Sequence, residues 1–285
     1  MRLLRVMSCL ATLVLVCAWF DTPMVSSALA APDHSARSGP RSSSNTLATI
    51  QKNGTIRVGV AVNAPWVLRD KNDQWIGLDV DLARQFAQDM RWQIELVPTT
   101  WGTAIDDLRA GRFDVLAAGL SVTPQRALLL KYSRPYGDFA LGLVVNRQSL
   151  GKDDLLTLET GAGKHRIGVL SGTVTAATAK EYLGNSELVE INDESKAIQD
   201  LRGGKLDGLI AEQPLPDALA HAYSDQLRTL DVSTYGKTAH AFAVRREDQD
   251  LLDVVDAWLI YEDAAGWIQS REQFWIHSAA WVELM

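Results

Sequence analysis

The sequence is poor in cysteine, because its 285 residues include only Cys9 and Cys17. Both lie within residues 1–30, which have the features of a cleavable export signal. A chain that loses this segment has neither disulfide bonds nor thiol chemistry. Lipidation of Cys17 fits poorly, since Val16 before it is bulkier than the small residue that an acylated cysteine normally follows.

The export signal is indicated by three consecutive features. Arg2 and Arg5 form a basic start, an uncharged apolar run follows at 6–20, and Ala28-Leu29-Ala30 supplies the small-residue pattern of a cleavage site. The apolar run is shorter than the about 20 residues that a membrane span needs. We therefore predict a signal peptide at 1–30 and a disordered leader, rich in Ser, Pro and Ala, at 31–45.

Positive charge is also scarce, with 28 Lys and Arg residues against 35 Asp and Glu residues and a net charge of −7. This balance excludes the clustered basic surface of a nucleic-acid-binding protein. The five histidines show no metal-ligand spacing, and no nucleophile elbow or phosphate-binding glycine loop is present. We expect no metal, no cofactor and no nucleic-acid partner.

From Thr46 onward, strand and helix patterns alternate in two series. The first has predicted strands at 55–62, 92–98 and 113–117 and helices at 78–90 and 101–110. The second has strands at 166–170, 187–191, 206–211 and 239–245, with helices at 173–183, 195–202, 251–259 and 266–276. Such alternation predicts an α/β fold with two parallel-sheet units. Ligands of parallel sheets bind beyond the carboxyl ends of the strands, so a shared cleft is expected.

One segment, Gly119 to Arg126, has an unusual charge placement. Thr123 and Pro124 are typical of an N-cap and a first helical residue, which puts Arg126 in the first turn. A cation is disfavoured at that end of a helix unless an anion meets it. We interpret Arg126 as a clamp for a ligand carboxylate, because a guanidinium binds carboxylates with paired hydrogen bonds. The alternative is a solvated arginine paired with a nearby Asp.

Two strand ends in the second series are candidate partners for this clamp. The turn Ser171-Gly172-Thr173 could present hydroxyl and amide groups to an anion, although Thr173 could equally be a structural N-cap. Glu212 ends a later strand, where it could face Arg126 and hold a ligand ammonium. The alternative role for Glu212 is to stabilise the start of the helix that follows.

Two tryptophans follow strands and could form walls of a pocket. Trp66 follows Pro65, and Trp101 follows Thr100. Aromatic side chains at such positions can stack on a ligand. Core packing is the favoured alternative for Trp66, and a pocket wall is favoured for Trp101.

Together these segments resemble the polar amino-acid-binding family (family 3) of periplasmic solute-binding proteins, which are receptors of ABC importers. The resemblance covers about residues 53–276. It implies two Rossmann-like lobes joined by a hinge, the type II periplasmic binding protein fold, with a discontinuous first lobe at 46–147 plus 238–285 and a second lobe at 148–237. It is carried by Pro65-Trp66, Gly77 to Leu82, Trp101, Gly111 to Asp114, Gly119 to Arg126, Tyr132 to Tyr136, Ser171 to Thr173 and Lys205 to Gly208.

The resemblance also implies roles for individual residues. Arg126 would hold the ligand α-carboxylate with the backbone near Gly119 and the Ser121 hydroxyl, the turn at Thr173 would assist from the second lobe, and the acid at 212 would hold the α-ammonium. That acid is usually aspartate, and here it is Glu212. Asn63 and Ala64 stand where the family often has an aromatic residue, and Leu170 stands where it often has a basic one, which points to a ligand with a less polar side chain.

The resemblance leaves alternatives of different classes. Cyclohexadienyl dehydratases look like the same fold with a catalytic glutamate three residues beyond the strand-end acid, a place that Leu215 occupies here. Without that general acid, a dehydratase reaction lacks its proton donor. We therefore expect a monomeric, periplasmic binding protein rather than an enzyme, with an ABC permease as its membrane partner. A ligand-sensing receptor remains open.

Overall fold

The computed structural model describes residues 45–150, 155–162 and 164–285. The predicted signal peptide and the predicted leader up to residue 44 lie outside these residues. Asn45 itself belongs to the fold, since its side chain caps the first helix by accepting a hydrogen bond from the Ala48 N–H at 3.0 Å. No helix of the described ranges combines the length and the apolar character that crossing a membrane requires.

The described residues form thirteen strands and eleven α-helices. The strands are β1 (Thr55–Val60), β2 (Leu68–Arg69), β3 (Trp75–Ile76), β4 (Gln93–Pro98), β5 (Val115–Leu116), β6 (Leu130–Tyr132), β7 (Gly137–Asn146), β8 (Arg166–Leu170), β9 (Glu187–Ile191), β10 (Gly208–Glu212), β11 (Leu227–Leu230), β12 (Lys237–His240) and β13 (Ala243–Arg245). The helices are α1 (Thr46–Asn53), α2 (Leu78–Asp89), α3 (Ala104–Arg109), α4 (Pro124–Ala127), α5 (Arg147–Leu150), α6 (Leu155–Thr160), α7 (Val174–Tyr182), α8 (Glu194–Arg202), α9 (Leu215–Ala222), α10 (Gln249–Ala264) and α11 (Trp267–Trp275). Two 3-10 helices, Ser233–Tyr235 and Ala280–Leu284, complete the described secondary structure.

The first sheet has the strand order β4-β1-β5-β13-β6. β1 is parallel to β4 and β5, whereas β13 is antiparallel to β5 and β6. Because β13 comes from the end of the chain and the other four strands from its first half, this lobe is built from two separate chain segments. The predicted discontinuity of the first lobe is therefore confirmed.

The second sheet has the order β11-β7-β10-β8-β9, and β12 also pairs with β7. β8 is parallel to β9 and β10, as crossover units require, whereas β7 is antiparallel to β10, β11 and β12. The predicted lobe boundaries remain a prediction. The strand pairing itself assigns 137–146 and 237–240 to the second sheet.

A buried carboxylate fixes the loop that follows β5. Asp79, in the first turn of α2, is fully buried and accepts hydrogen bonds from the Gly119 N–H at 2.7 Å and from the Tyr136 hydroxyl at 2.7 Å. Burial raises the pKa of Asp79 to about 6, and these two hydrogen bonds oppose the rise. Helix α2 thereby holds in place the loop that continues to Arg126.

Any other residue at position 119 would force the surrounding side chains or the backbone to rearrange. Its φ angle is +65°, in the left-handed region, and a Cβ atom there would lie 2.8 Å from Nδ2 of Asn63 and 2.8 Å from Cγ of Trp66. The backbone has to pass directly over the Trp66 ring. The glycine is therefore required both for backbone conformation and for packing.

We predict that Gly119→Ala lowers the free energy of unfolding by about 2–5 kcal/mol, the combined cost of a left-handed alanine and of overpacking. The matched control is Gly54→Ala, because Gly54 has φ +66° but a Cβ atom added there would meet no other atom within 4 Å. That control should lose only about 1–2 kcal/mol. Urea denaturation of both variants measures the difference, and equal losses would contradict the packing argument.

Candidate ligand-binding site

A cavity lies between the two sheets, beyond the carboxyl ends of their parallel strands. The space that the centre of a water molecule can occupy is ≈ 20 Å³, room for about one water, so the two walls are closed against each other. One wall comes from the first lobe and the other from the second. The lining residues are Asn63, Trp101, Gly119, Ser121 and Arg126 on the first wall and Leu170, Thr173, Val174, Thr175, Ile191, Glu194, Leu209, Ile210, Ala211 and Glu212 on the second.

Arg126 is half-buried and extends from the first wall toward the second. Its Nη1 donates to the Ser121 carbonyl at 3.1 Å, and its Nη2 donates to the Gly172 carbonyl of the facing lobe at 3.4 Å. Its guanidinium carbon lies 5.9 Å from the centre of the Trp101 ring. Burial lowers the pKa of Arg126, partly offset by the charges of Tyr132 and Glu212. Among the ion pairs of the described residues, none includes Arg126, so the alternative of a nearby Asp partner is not found there.

The local geometry at Arg126 differs in one respect from the sequence argument. The Thr123 side chain accepts from the Arg126 N–H at 3.2 Å, so the predicted N-cap is confirmed. The helix α4, however, has only four residues. Its dipole is correspondingly small, because few peptide units are aligned in it. The absence of an anionic partner among the described residues, rather than the helix end, makes Arg126 suited to a ligand.

Glu212 ends β10 and faces the cavity from the second wall, with 6% of its surface exposed. Its Oε1 accepts hydrogen bonds from Thr238 Oγ1 at 3.0 Å and Ser121 Oγ at 3.3 Å, and lies 3.0 Å from His240 Nε2. Burial alone would raise the pKa of Glu212, but the interactions with His240 and Thr238 outweigh it and lower the pKa. These contacts involve the strand β12 and the first lobe. The sequence analysis had considered, as an alternative, that Glu212 stabilises the start of the next helix, α9. Among the described residues, none of the hydrogen bonds of Glu212 comes from the start of α9.

His240 is the part of this arrangement that sequence reasoning missed. Its side chain has 0% exposure and packs between the rings of Trp66 and Phe139, at centroid distances of 4.7 Å and 4.6 Å. The sequence placed this histidine in a strand but gave no indication of a partner, because Glu212 is 28 positions away. Only the pairing of β12 with β7 brings the two together.

Three of the predicted site residues line the cavity, but their polar groups are used in hydrogen bonds within the protein. The Gly119 N–H is already bonded to Asp79, so this amide is not available to a ligand. The Thr173 hydroxyl donates to the Leu170 carbonyl at 2.7 Å and accepts from the Ala176 N–H at 3.2 Å, as expected of an N-cap. Trp101 is fixed as a wall by the bond from its Nε1 to the Val62 carbonyl at 2.9 Å.

Trp66 does not line the cavity. Its side chain is completely buried behind Gly119, and its indole N–H has no hydrogen-bond partner among the described residues. Trp66 therefore has the core role that was the favoured alternative in the sequence analysis. It supports the site from behind by packing against His240.

Glu194, at the first position of α8, is a second buried acid on the cavity wall that the sequence analysis overlooked. It is 4% exposed, and its Oε2 accepts a hydrogen bond across the cleft from the Ala64 N–H at 2.8 Å. Burial raises the pKa of Glu194 to about 7, the Ala64 bond opposes this, and the charges of Glu212 and Asp193 add to it. The sequence offered one indication, an Asp193-Glu194 pair one residue beyond a parallel strand.

Comparison with known proteins decides the family. The family model described as bacterial extracellular solute-binding proteins, family 3, matches residues 56–278, most of the chain. The chain belongs to this family. The family predicted from the sequence is thereby confirmed, and so is the type II periplasmic binding fold.

Individual proteins that are similar to this chain agree with this assignment. The L-cystine-binding protein TcyJ of Escherichia coli K12 is 22% identical over 80% of this chain and 85% of its own length. The octopine-binding periplasmic protein of Rhizobium meliloti is 30% identical, over 52% of this chain and 57% of that protein. A lysine-complexed ABC transporter binding component from Wolinella succinogenes aligns with a TM-score of 0.73 and 27% identity, over 81% of this chain and 99% of that one.

A structure described as an ancestral amino acid-binding protein, a precursor of cyclohexadienyl dehydratase, also aligns, with a TM-score of 0.71, 28% identity and coverage of 81% of this chain and 99% of that one. The position at which the dehydratases carry their catalytic glutamate is Leu215 here, which has 0% exposure and does not line the cavity. Among the described residues, no group of His, Cys, Asp and Glu could hold a metal ion.

The pairing of His240 with Glu212 predicts a pH-dependent loss of stability in a His240→Leu variant. Without its partner the buried carboxylate costs at least about 2 kcal/mol at neutral pH. The lowered pKa of Glu212 means that its stabilising contribution is present above the ordinary glutamate pKa and is lost as the pH falls through the folded value. The deficit of the variant should therefore be largest near pH 7 and should decrease as the pH falls to 4 and below.

Chemical denaturation at both pH values measures this deficit. The control is His221→Leu, because His221 is exposed on α9 and should show a small, pH-independent effect. An equal deficit of His240→Leu at both pH values would contradict the role assigned to the Glu212 charge.

Proposed function

We propose that this protein captures an amino acid in the cavity between its lobes by lobe closure and delivers it to an ABC importer. The observation that carries the proposal is the pair of opposite charges on the two walls. Arg126 on the first wall has no anionic side-chain partner among the described residues, and Glu212 on the second wall is held ionised by His240 and Thr238. An amino acid supplies the complementary pair, a carboxylate and an ammonium.

The geometry supports one orientation of this ligand. Arg126 uses N–H groups of both terminal nitrogens on backbone carbonyls, which fixes the plane of the guanidinium and leaves further donors for a carboxylate. The contacts of Glu212 with Ser121, Thr238 and His240 all involve Oε1, so Oε2 is the oxygen suited to a ligand ammonium. Charge-assisted bonds of this kind contribute about 1.5–3 kcal/mol each.

The closed state of the cavity supports capture by closure. A space for about one water does not admit an amino acid, so the lobes have to separate for entry. A ligand that contacts both walls stabilises a closure around itself, with the walls further apart than in the described arrangement, because it binds such a closed state better than the open one. The closed form is then the form that a membrane permease would recognise, and the predicted periplasmic location follows from the same proposal.

Relatives support the same class of ligand. The names of family members specify cystine, octopine and arginine binding, and solved structures contain lysine or arginine. The dehydratase alternative is weaker, because Leu215 is buried where the general acid is expected. Turnover of prephenate or arogenate by the purified protein would favour the enzyme instead.

Replacement of the guanidinium tests the proposal directly. We expect Arg126→Ala to weaken binding of amino acids by at least about 2 kcal/mol, roughly thirtyfold in Kd, because a buried carboxylate loses its partner. The matched control is Arg69→Ala. Arg69 also lies over a tryptophan, with its guanidinium carbon 3.5 Å from the Trp75 ring centre, but it is outside the cavity.

The ligand for this measurement is found by a thermal-shift screen of amino acids and simple carboxylic acids. A ligand at 100 times its Kd adds about 2.7 kcal/mol of stability to the wild-type protein. If the wild type binds an amino acid and Arg126→Ala binds it equally well, the carboxylate clamp is wrong. If no amino acid binds the wild type, the proposed function itself is wrong.

The ammonium partner is tested with Glu212→Gln. We expect this variant to weaken binding of an α-amino acid by about tenfold or more and to affect the corresponding α-hydroxy acid much less, because only the amino acid places a cation beside residue 212. Calorimetric titration with both ligands measures the two losses. Equal losses would remove Glu212 from the ammonium site.

A further inference from the structure

The acids that face the cleft outnumber its cations. On the walls, Arg126 is the single Lys or Arg side chain among the lining residues, whereas Glu194 and Glu212 are both acids. Under the proposed function, the ligand carboxylate pairs with Arg126 and the ligand ammonium pairs with Glu212. Glu194 then remains without a cation, although it is buried.

Glu194 is also the least satisfied of the buried acids near the site. Asp79 accepts hydrogen bonds from two groups, and Glu212 from three. In the described part of the chain, Glu194 accepts a single hydrogen bond, from the Ala64 N–H, and takes part in no ion pair. A buried carboxylate in this position is costly unless a proton or a cation neutralises it.

Arg126 and Glu212 meet the same residue of the first wall, whereas Glu194 meets that lobe elsewhere. The Arg126 guanidinium donates to the Ser121 carbonyl and Glu212 accepts from the Ser121 hydroxyl, whereas Glu194 accepts from the Ala64 N–H. Glu194 is therefore a third charged position on the cavity walls, separate from the other two. Apolar side chains of Leu170, Ile191 and Leu209 line the same cavity and suit a hydrocarbon stem.

From this arrangement, and resting on the proposed function, we propose that the ligand is a dibasic amino acid whose side-chain cation binds Glu194. The cavity groups, one guanidinium, two carboxylates and an apolar wall, match the carboxylate, the two cations and the methylene stem of such a ligand. This replaces the expectation of a less polar ligand side chain, which considered Asn63 and Leu170 but not Glu194. Glu194 is thus a specificity-determining residue.

The test uses two pairs of ligands in which the second member lacks the terminal cation: arginine against citrulline, and lysine against norleucine. In the wild type, the cationic member of each pair should bind about tenfold to hundredfold more tightly. Glu194→Gln keeps an oxygen that can accept from the Ala64 N–H but has no charge. It should lose that preference while its affinity for citrulline and norleucine changes by less than about threefold, as measured by calorimetric titration.

The pH dependence gives a second measurement. Burial raises the pKa of Glu194 to about 7 in the closed arrangement, so a closed complex with a neutral ligand side chain keeps a proton on Glu194 below that pH, whereas a cationic side chain requires the ionised carboxylate. The ratio of arginine to citrulline affinity should therefore rise from pH 5.5 to a plateau above pH 7 in the wild type and stay flat in Glu194→Gln. The other titratable or charged groups near this region are Arg126, Glu212, His240 and Asp193. Their effects on the α-carboxylate and the α-ammonium are the same for both ligands, so they cancel in the ratio of arginine to citrulline affinity.

The outcomes separate the two proposals. If the wild type binds citrulline or norleucine as tightly as arginine or lysine, or if Glu194→Gln leaves the preference unchanged, the inference is overturned while amino-acid capture stands. If the wild type binds none of the four ligands nor any other amino acid in the screen, the proposed function fails and the inference fails with it.

Discussion

The structure of the site depends on keeping one carboxylate ionised where water is nearly excluded. Glu212 is buried at the end of β10, and burial by itself favours the neutral acid. His240, Thr238 and Ser121 reverse this preference by contacting its Oε1. Thr238 and His240 belong to β12, and Ser121 belongs to the loop that follows β5 in the first lobe. One carboxylate therefore connects β10 with β12 and with the opposite wall of the cavity.

The support behind this carboxylate continues into the core of the first lobe. His240 packs against Trp66, Trp66 packs under Gly119, and the Gly119 amide is held by Asp79. Gly119 lines the cavity with an amide that is already bonded to Asp79, and Trp66, also considered as a ligand contact from the sequence, packs behind it. They position the backbone from Gly119 to Ser121, which in turn places the Arg126 guanidinium through the Ser121 carbonyl.

Three hydrogen bonds join the described walls across the cleft. The Arg126 guanidinium bonds to the Gly172 carbonyl, the Ala64 N–H bonds to Glu194, and Ser121 bonds to Glu212. Each of these pairs joins a group of one wall to a group of the other, and each can exchange its partner for water or for a ligand group. The equilibrium between open and closed arrangements can therefore be shifted by a ligand that contacts both sides.

Local patterns in the sequence determined most of the α/β elements. The strands at 166–170 and 187–191 have the predicted bounds, and the Thr123 cap and the Thr173 cap are both present. These features depend on residues close together in the chain, through alternation, capping and turn chemistry. β7 was not predicted, because its last six positions are all buried and so lack an alternating pattern.

Tertiary structure alone decided which charged groups meet. Glu212 and His240 are 28 positions apart, and Ala64 and Glu194 are 130 apart, so no spacing rule connects them. The sequence could indicate that Arg126 and Glu212 end elements near a cleft, since strand ends are a local property. It could not indicate that Glu194 lies buried beside them, because burial and the resulting pKa shift arise only when the two lobes close on each other.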